Sequence, residues 1–126
     1  AMTVQVSTMF RDPAYFLALR QRVLPLLRDQ PLLRVWVAGC SAGEELWSLA
    51  ILLAEEGLLD RCRLYATDIH ADALARAQAA IYPLARVAEF SRNYLAAGGR
   101  RSLAEYFSAG YEHARFARSL AVPVVF

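Results

Sequence analysis

The stretch RVWVAGCSAGEELWSLAILLAEE, Arg34 to Glu56, decides how the chain folds. A short β-branched and aromatic run ends at Gly39, and a second apolar run starts after Gly43 with a different spacing. The first run is typical of a strand that is buried in a parallel sheet. The second run predicts a helix that ends at Gly57. The predicted buried stripe of this helix comprises Leu46, Leu49, Ala50 and Leu53.

The segment before this stretch predicts a helix. Asp12 is a plausible N-cap, and Pro13 suits the first helical position. Apolar residues follow at helical spacing, and Pro25 is expected to kink this helix or to end it early. A strand over Leu33–Ala38 then leads into the glycine loop.

The segment after this stretch continues the alternation. CRLYATDI predicts a second buried strand with Asp68 at its carboxyl end, and HADALARAQAAIY predicts a helix that is stopped by Pro83. Residues 84–107 are interpreted as short helices and loops with a break at Gly98-Gly99. The last 16 residues predict a β-hairpin whose final part, Leu120–Phe126, is a third sheet strand.

Strands that alternate with helices predict parallel βαβ units. We expect an α/β fold, half of a doubly wound Rossmann-like sheet, with strands in the order third, second, first. Pro123 cannot donate a ladder hydrogen bond, so the third strand should lie at an edge.

Composition limits the class of protein. With 126 residues, the chain is expected to form one domain. No apolar run reaches the length of a membrane span, and the N-terminus lacks a basic-then-apolar signal, so a cytoplasmic protein without membrane insertion is the default. The net charge is +2 and all 14 basic residues are arginine, a bias too weak to indicate a nucleic-acid partner. Cys40 and Cys62 lack metal-ligand spacing, so neither a metal site nor a disulfide is expected.

The glycine loop predicts a ligand site. A strand that ends in glycines and continues into a helix exposes backbone N–H groups at the helix N-terminus. The pattern is G-x-x-x-G, not the dinucleotide fingerprint G-x-G-x-x-G. Asp68 follows at the end of the next strand, where a carboxylate can accept both hydroxyls of a ribose. The alternative for Asp68 is a cap at the end of the strand.

The two acids that open the helix bear on which nucleoside could bind. Glu44 and Glu45 would repel a diphosphate, whereas a cationic or zwitterionic ligand such as S-adenosylmethionine fits better. Glu45 could instead only stabilise the helix start. Cys40 is interpreted as a small buried residue, not a nucleophile. Trp36 and Trp47 are predicted to be core residues.

Three segments, STMFRDPAYF, AGCSAGEELWSLA and ATDIHADALARAQAAIY, resemble the CheR family of chemoreceptor glutamate methyltransferases in order and spacing. The family's loop usually reads G-C-S-T-G-E-E-P-Y-S, which is similar to residues 39–48 here. The resemblance implies a class I methyltransferase fold, S-adenosylmethionine as cofactor and S-adenosylhomocysteine as product.

The resemblance also implies residue roles. Gly39, Glu45 and Asp68 would hold the cofactor, and Arg11 would lie near its methionyl end and the acceptor carboxylate, as the catalytic residue. The alternative for Arg11 is a surface salt bridge with Asp12. The complete set of expected cofactor contacts is Gln5, Ser7, Arg11, Ala38, Gly39, Cys40, Glu45, Asp68 and Ile69.

This chain departs from the family pattern at several positions. Ser7 replaces a threonine, Met9 replaces a phenylalanine, Gln5 stands where some members have asparagine, and His70 replaces a common aspartate. These changes are expected to adjust the affinity for the cofactor without abolishing it.

The resemblance implies a chemoreceptor-like protein substrate and the N-terminal half of a catalytic domain, 1–126, truncated at both ends. An Asn-Leu pair and a small β-subdomain that docks receptor tails in some members are expected only beyond Phe126. The exposed edge of the first strand is then expected to cause homo-oligomerisation. Two alternatives remain: a non-catalytic S-adenosylmethionine-binding or interaction module in signalling, and half of a nicotinamide-dependent oxidoreductase.

Overall fold

The computed structural model describes residues 8–116, 120 and 124–126. Its α-helices are α1 Pro13–Ala18, α2 Leu24–Leu27, α3 Glu44–Glu55, α4 Ala71–Ala79 and α5 Val87–Ala96. A π-helical turn, Leu19–Val23, joins α1 to α2, and short 3-10 helices cover Leu59–Arg61, Leu84–Arg86 and Leu103–Tyr106. The strands are β1 Leu33–Ala38, β2 Cys62–Thr67, β3 Ile81–Pro83, β4 Ser108–Ala109, β5 His113–Arg115 and β6 Val124–Val125.

The main sheet confirms the predicted α/β fold and strand order. Its three parallel strands run β1-β2-β6, which is first, second and third along the chain. β1 and β2 pair from Leu33 with Cys62 to Ala38 with Thr67, so both strands end at the same edge. Among the described residues, the third strand comprises Val124–Val125, whereas Leu120 and Phe126 at the ends of the predicted strand are not in it. Pro123 lies outside the described residues.

The helices before and after β1 begin as expected. Asp12 precedes Pro13 at the start of α1, although its side chain makes no capping hydrogen bond. The π-helical turn lies just before Pro25, and the helical path continues to Leu27. A proline and a π-type turn are each usual sites of a helix kink. α3 starts at Glu44, and its buried residues include Trp47, which is 3% exposed.

Trp36 is not a core residue, contrary to the prediction. Its side chain is 69% exposed, and the indole Nε1 donates to Thr67 Oγ1 at 2.8 Å. Alternation along β1 places Trp36 on the same face as the exposed Arg34, opposite the buried Leu33 and Val37. Only one face of this strand is therefore covered by described residues.

The predicted helix over HADALARAQAAIY is too long. α4 ends at Ala79, because Ala80 adopts a left-handed conformation with φ +54°. Ile81–Pro83 then form β3, which pairs with β5 in an antiparallel sheet of order β3-β5-β4. This second sheet was not predicted, because its strands are short and pair with residues far along the chain.

Candidate functional site

The glycine loop takes its shape from alternating left-handed residues. Gly39, Ser41 and Gly43 have φ values of +62°, +52° and +94°. The Cys40 N–H donates to Thr67 O at 2.9 Å, which ties the loop to the end of β2. Glycine adopts such conformations without steric cost, so the backbone at two of these three left-handed residues, Gly39 and Gly43, carries little strain.

The two glycines differ in what surrounds them. A Cβ on Gly43 would lie 2.8 Å from Ala77 Cα, so Gly43 permits the close packing of α3 on α4. A Cβ on Gly39 would meet no protein atom within 4 Å. Gly39 therefore faces open space, where a ligand could approach the backbone.

Asp68 is held next to this loop. Its Oδ2 accepts the Ser41 N–H at 3.0 Å, and its Oδ1 accepts the His70 N–H at 2.9 Å. His70 Nδ1 lies 3.3 Å from the same Oδ1. The His70 and Ser41 amides hold the pKa of the Asp68 carboxyl below its usual range. The site thus contains a fixed carboxylate at the carboxyl ends of two adjacent strands.

Two neighbouring cavities meet at Gly39. One has a volume of about 470 Å³ and the other about 610 Å³, both within the range of small-molecule sites. The first is lined by Thr8, Arg11, Asp12, Tyr15, Phe16, Gly39, Cys40, Ser41 and Glu45. The second is lined by Ala38, Gly39, Thr67, Asp68, Ile69 and His70. One elongated ligand could extend from the first to the second across the glycine loop.

The two acids of α3 have different surroundings. Glu45 is exposed and lines the first cavity. Glu44 is buried, and its Oε1 has no hydrogen-bond partner among the described residues. Burial, reinforced by the charge of Glu44, raises the pKa of the nearby Tyr82 hydroxyl, which donates to Ala42 O at 2.8 Å. Of these two acids, only Glu45 lines the first cavity and could contact a ligand there.

Cys40 lines the first cavity but is 3% exposed. Burial raises the pKa of its thiol, and the charge of Asp68 raises it further. A thiol with a raised pKa is a poor nucleophile at neutral pH, which supports its interpretation as a small buried residue.

Seven of the nine expected cofactor contacts lie around the two cavities: Arg11, Ala38, Gly39, Cys40, Glu45, Asp68 and Ile69. Gln5 and Ser7 lie outside the described residues. Sequence reasoning did not select Tyr15 as a lining residue or the Ser41 amide as a donor to Asp68. The position of Ser41 inside the glycine loop was the available signal for the latter.

The described residues contain no cluster of side chains suited to a metal ion, and both cysteines are free thiols. No helix in the described part of the chain has the length and apolar character needed to cross a membrane.

Comparison with known proteins identifies relatives of this chain. The family model described as CheR methyltransferase, SAM binding domain, matches residues 5–112. Cher3 of Pseudomonas putida, which is named as a methyltransferase, is 53% identical over 125 residues, 99% of this chain and 46% of that protein. A chemotaxis protein methyltransferase of Listeria monocytogenes is 38% identical, over 71% of this chain and 35% of its own length. One from Borreliella burgdorferi is 35% identical, over 62% of this chain and 31% of its own length. The chain spans less than half the length of each of these relatives.

Proposed function

We propose a function that starts from one established point: the chain belongs to the CheR methyltransferase family, whose domain binds S-adenosylmethionine. In this proposal, the chain is the cofactor-binding part of a protein-glutamate O-methyltransferase that acts on chemoreceptor-like signalling proteins. The names of the relatives as chemotaxis protein methyltransferases support this substrate class.

One observation carries the proposal: the open backbone at Gly39 lies between the fixed Asp68 carboxylate and a cavity that contains Arg11 and Glu45. A nucleoside with an amino-acid tail matches this order. Asp68 would accept the ribose hydroxyls, and the exposed Glu45 would attract the ammonium of the methionyl end. Glu44 and Glu45 in the first turn of α3 would repel a pyrophosphate, which argues against the nicotinamide alternative.

The chain's residues would then act by orientation. S-adenosylmethionine supplies a methyl group on a positively charged sulfur. A glutamate side chain is ionised at neutral pH, so no strong general base would be needed. Its oxygen would bond to the methyl carbon as the carbon–sulfur bond breaks, and S-adenosylhomocysteine would leave as the neutral thioether. The planar guanidinium of Arg11 is suited to hold a carboxylate through two parallel hydrogen bonds. The rate gain would come from alignment of the reacting atoms.

Calorimetric titration of the natural protein that contains these residues tests the cofactor. We expect saturable binding of S-adenosylmethionine and S-adenosylhomocysteine and none of NAD. Binding of NAD alone would overturn the proposal. Transfer of a labelled methyl group from S-adenosylmethionine to a chemoreceptor cytoplasmic fragment tests the reaction. Cofactor binding without transfer to any such fragment would favour the non-catalytic module.

Arg11→Lys tests the catalytic role of Arg11. Lysine keeps the charge and loses the planar fork, so we expect methyl transfer to fall about tenfold or more while the melting temperature stays within a few degrees. Unchanged turnover together with a lower melting temperature would make Arg11 a structural residue.

A further inference from the structure

The backbone just before Arg11 adopts an unusual conformation. Phe10 has a φ of +50°, in the left-handed region where the Cβ of a bulky residue is crowded. Met9 and Phe10 are both fully buried, whereas Arg11 is exposed. Such a conformation persists only where surrounding contacts hold it.

Two side chains from distant parts of the chain hold this turn. Ser48 Oγ accepts the Phe10 N–H at 2.9 Å, and Asn93 Nδ2 donates to Met9 O at 3.1 Å. The Phe10 ring also packs against Phe16, with ring centroids 5.2 Å apart. The turn is therefore anchored on α3 through Ser48 and on α5 through Asn93.

The residues on either side of the anchored turn line the first cavity. Thr8 and Arg11, on either side of the buried pair, both line that cavity. The fully buried Ser48 also donates from Oγ to Glu44 O at 2.6 Å. Glu44 adjoins Glu45, which also lines this cavity. One hydroxyl thus connects the segment that carries Arg11 to the helical turn that carries Glu45.

We propose that Ser48 and Asn93 are positioning residues that set the place of Arg11 relative to the cofactor. This inference rests on the proposed function. Neither side chain lines the two cavities, so both act through the backbone of Met9 and Phe10. Loss of either hydrogen bond would let Phe10 relax from its left-handed conformation and displace Arg11.

The test is a double-mutant cycle read by calorimetric titration with S-adenosylhomocysteine. Three variants of the natural protein that contains these residues are prepared: Ser48→Ala, Arg11→Ala and the double variant. We expect Ser48→Ala to weaken affinity about tenfold when Arg11 is present, the low end of the range for removing the partners that orient metal ligands. In the Arg11→Ala background the same change should weaken affinity less than about twofold, because the two residues act as a unit.

Two further variants separate positioning from folding. Asn93→Asp retains the shape of the side chain and loses the donor to Met9 O, so it should weaken affinity in the same Arg11-dependent way. Ser102→Ala removes a hydroxyl that caps the 3-10 helix Leu103–Tyr106, away from the cavities. This control should lower the melting temperature and leave affinity unchanged.

The outcomes are distinct. Weaker affinity for Ser48→Ala or Asn93→Asp that disappears without Arg11 supports the inference. Equal losses in both backgrounds, or unchanged affinity in a protein that binds S-adenosylhomocysteine, would overturn the inference and leave the proposed function standing. If Ser48→Ala does not fold, the Asn93→Asp cycle decides. No binding by the unmodified protein would overturn the proposed function and the inference together.

Discussion

Gly39 and Gly57 are two residues with similar backbones and different surroundings. Both have left-handed φ values, +62° and +72°, and a Cβ on either would meet no protein atom within 4 Å. Gly39 lines both cavities, whereas Gly57 follows the end of α3. The pair therefore separates the cost of backbone strain from the effect on a ligand.

We expect Gly39→Ala and Gly57→Ala to lower the free energy of unfolding by a similar amount, about 1 kcal/mol each, because alanine is strained at these φ values. Only Gly39→Ala should also weaken S-adenosylhomocysteine binding, by about tenfold or more, since its methyl group would occupy the ligand's approach. Thermal unfolding and calorimetry measure the two effects. Equal affinities for the two variants would show that the cofactor does not approach Gly39.

Asp68 gives a prediction on pH. Its carboxyl pKa is lowered in the folded state by the His70 and Ser41 amides. A group with a lowered folded pKa stabilises the fold above its unfolded pKa, about 3.9, and loses that contribution as the pH falls through the folded value. The stability difference between the wild type and Asp68→Asn should therefore shrink as the pH falls from about 5 to 3. A difference that is constant with pH would contradict this.

The same Asp68→Asn variant tests the ribose contact at neutral pH. We expect S-adenosylhomocysteine affinity to fall about tenfold to a hundredfold, the range for losing a hydrogen bond to a charged group. The variant's melting temperature at that pH serves as the control for folding. Unchanged affinity would return Asp68 to the alternative of a cap at the end of the strand.

At the scale of elements, an ionic network joins the N-terminal helices to the end of α3. Arg20 NH1 donates to Glu55 Oε1 at 2.9 Å and to Glu56 Oε1 at 3.1 Å, and all three side chains are at most 4% exposed. The Tyr94 hydroxyl of α5 also donates to Glu55. Burial opposes ionisation of Glu55, but the Tyr94 and Arg20 hydrogen bonds bring the pKa of its carboxyl below the usual value.

Arg20 and Arg28 form a matched pair of arginines in this network. Arg28 NH2 lies 2.9 Å from Glu56 Oε2, but its side chain is 46% exposed. We expect Arg20→Met to cost about 3–5 kcal/mol, because it removes the buried cation that both carboxylates contact. Arg28→Met should cost about 1 kcal/mol or less, since water screens an exposed ion pair. Denaturant unfolding measures both, and similar costs would show that burial does not control this network.

At the scale of the whole molecule, β1 lies at one side of the main sheet in the described part of the chain. Its exposed face includes Trp36, which is 69% exposed. Backbone groups on a bare strand edge are a template for pairing with another chain. We propose that the 126-residue chain, prepared by itself, associates through this strand.

Light scattering across a concentration series tests this association. We expect a mass above 14.0 kDa that increases with concentration. Trp36→Lys should shift the population toward the monomer, because lysine on an edge strand opposes pairing. Tyr111→Lys is the matched control, since Tyr111 is 88% exposed and precedes β5, which belongs to the other sheet. A monodisperse monomer at high concentration would contradict the proposal.

Local patterns in the sequence determined the strand–glycine loop–helix unit from Leu33 to Glu55 and the second strand that leads to Asp68. Short-range rules suffice there, because a buried apolar run, a glycine turn and a change of period act within a few residues. The same segment contributes many of the residues that line the two cavities, which is why several of the expected contacts lie around them.

Only the tertiary structure decided the rest, because it depends on partners far along the chain. Ile81–Pro83 form a strand because they pair with His113–Arg115. The alternation along β1 could not show which face of that strand, the one with Trp36 or the other, would remain exposed. The left-handed turn at Phe10 is held by a hydrogen bond to Ser48, 38 positions away. Arg20 pairs with Glu55, 35 positions away. Contacts over such distances are set by the packing of whole elements, so no local pattern encodes them.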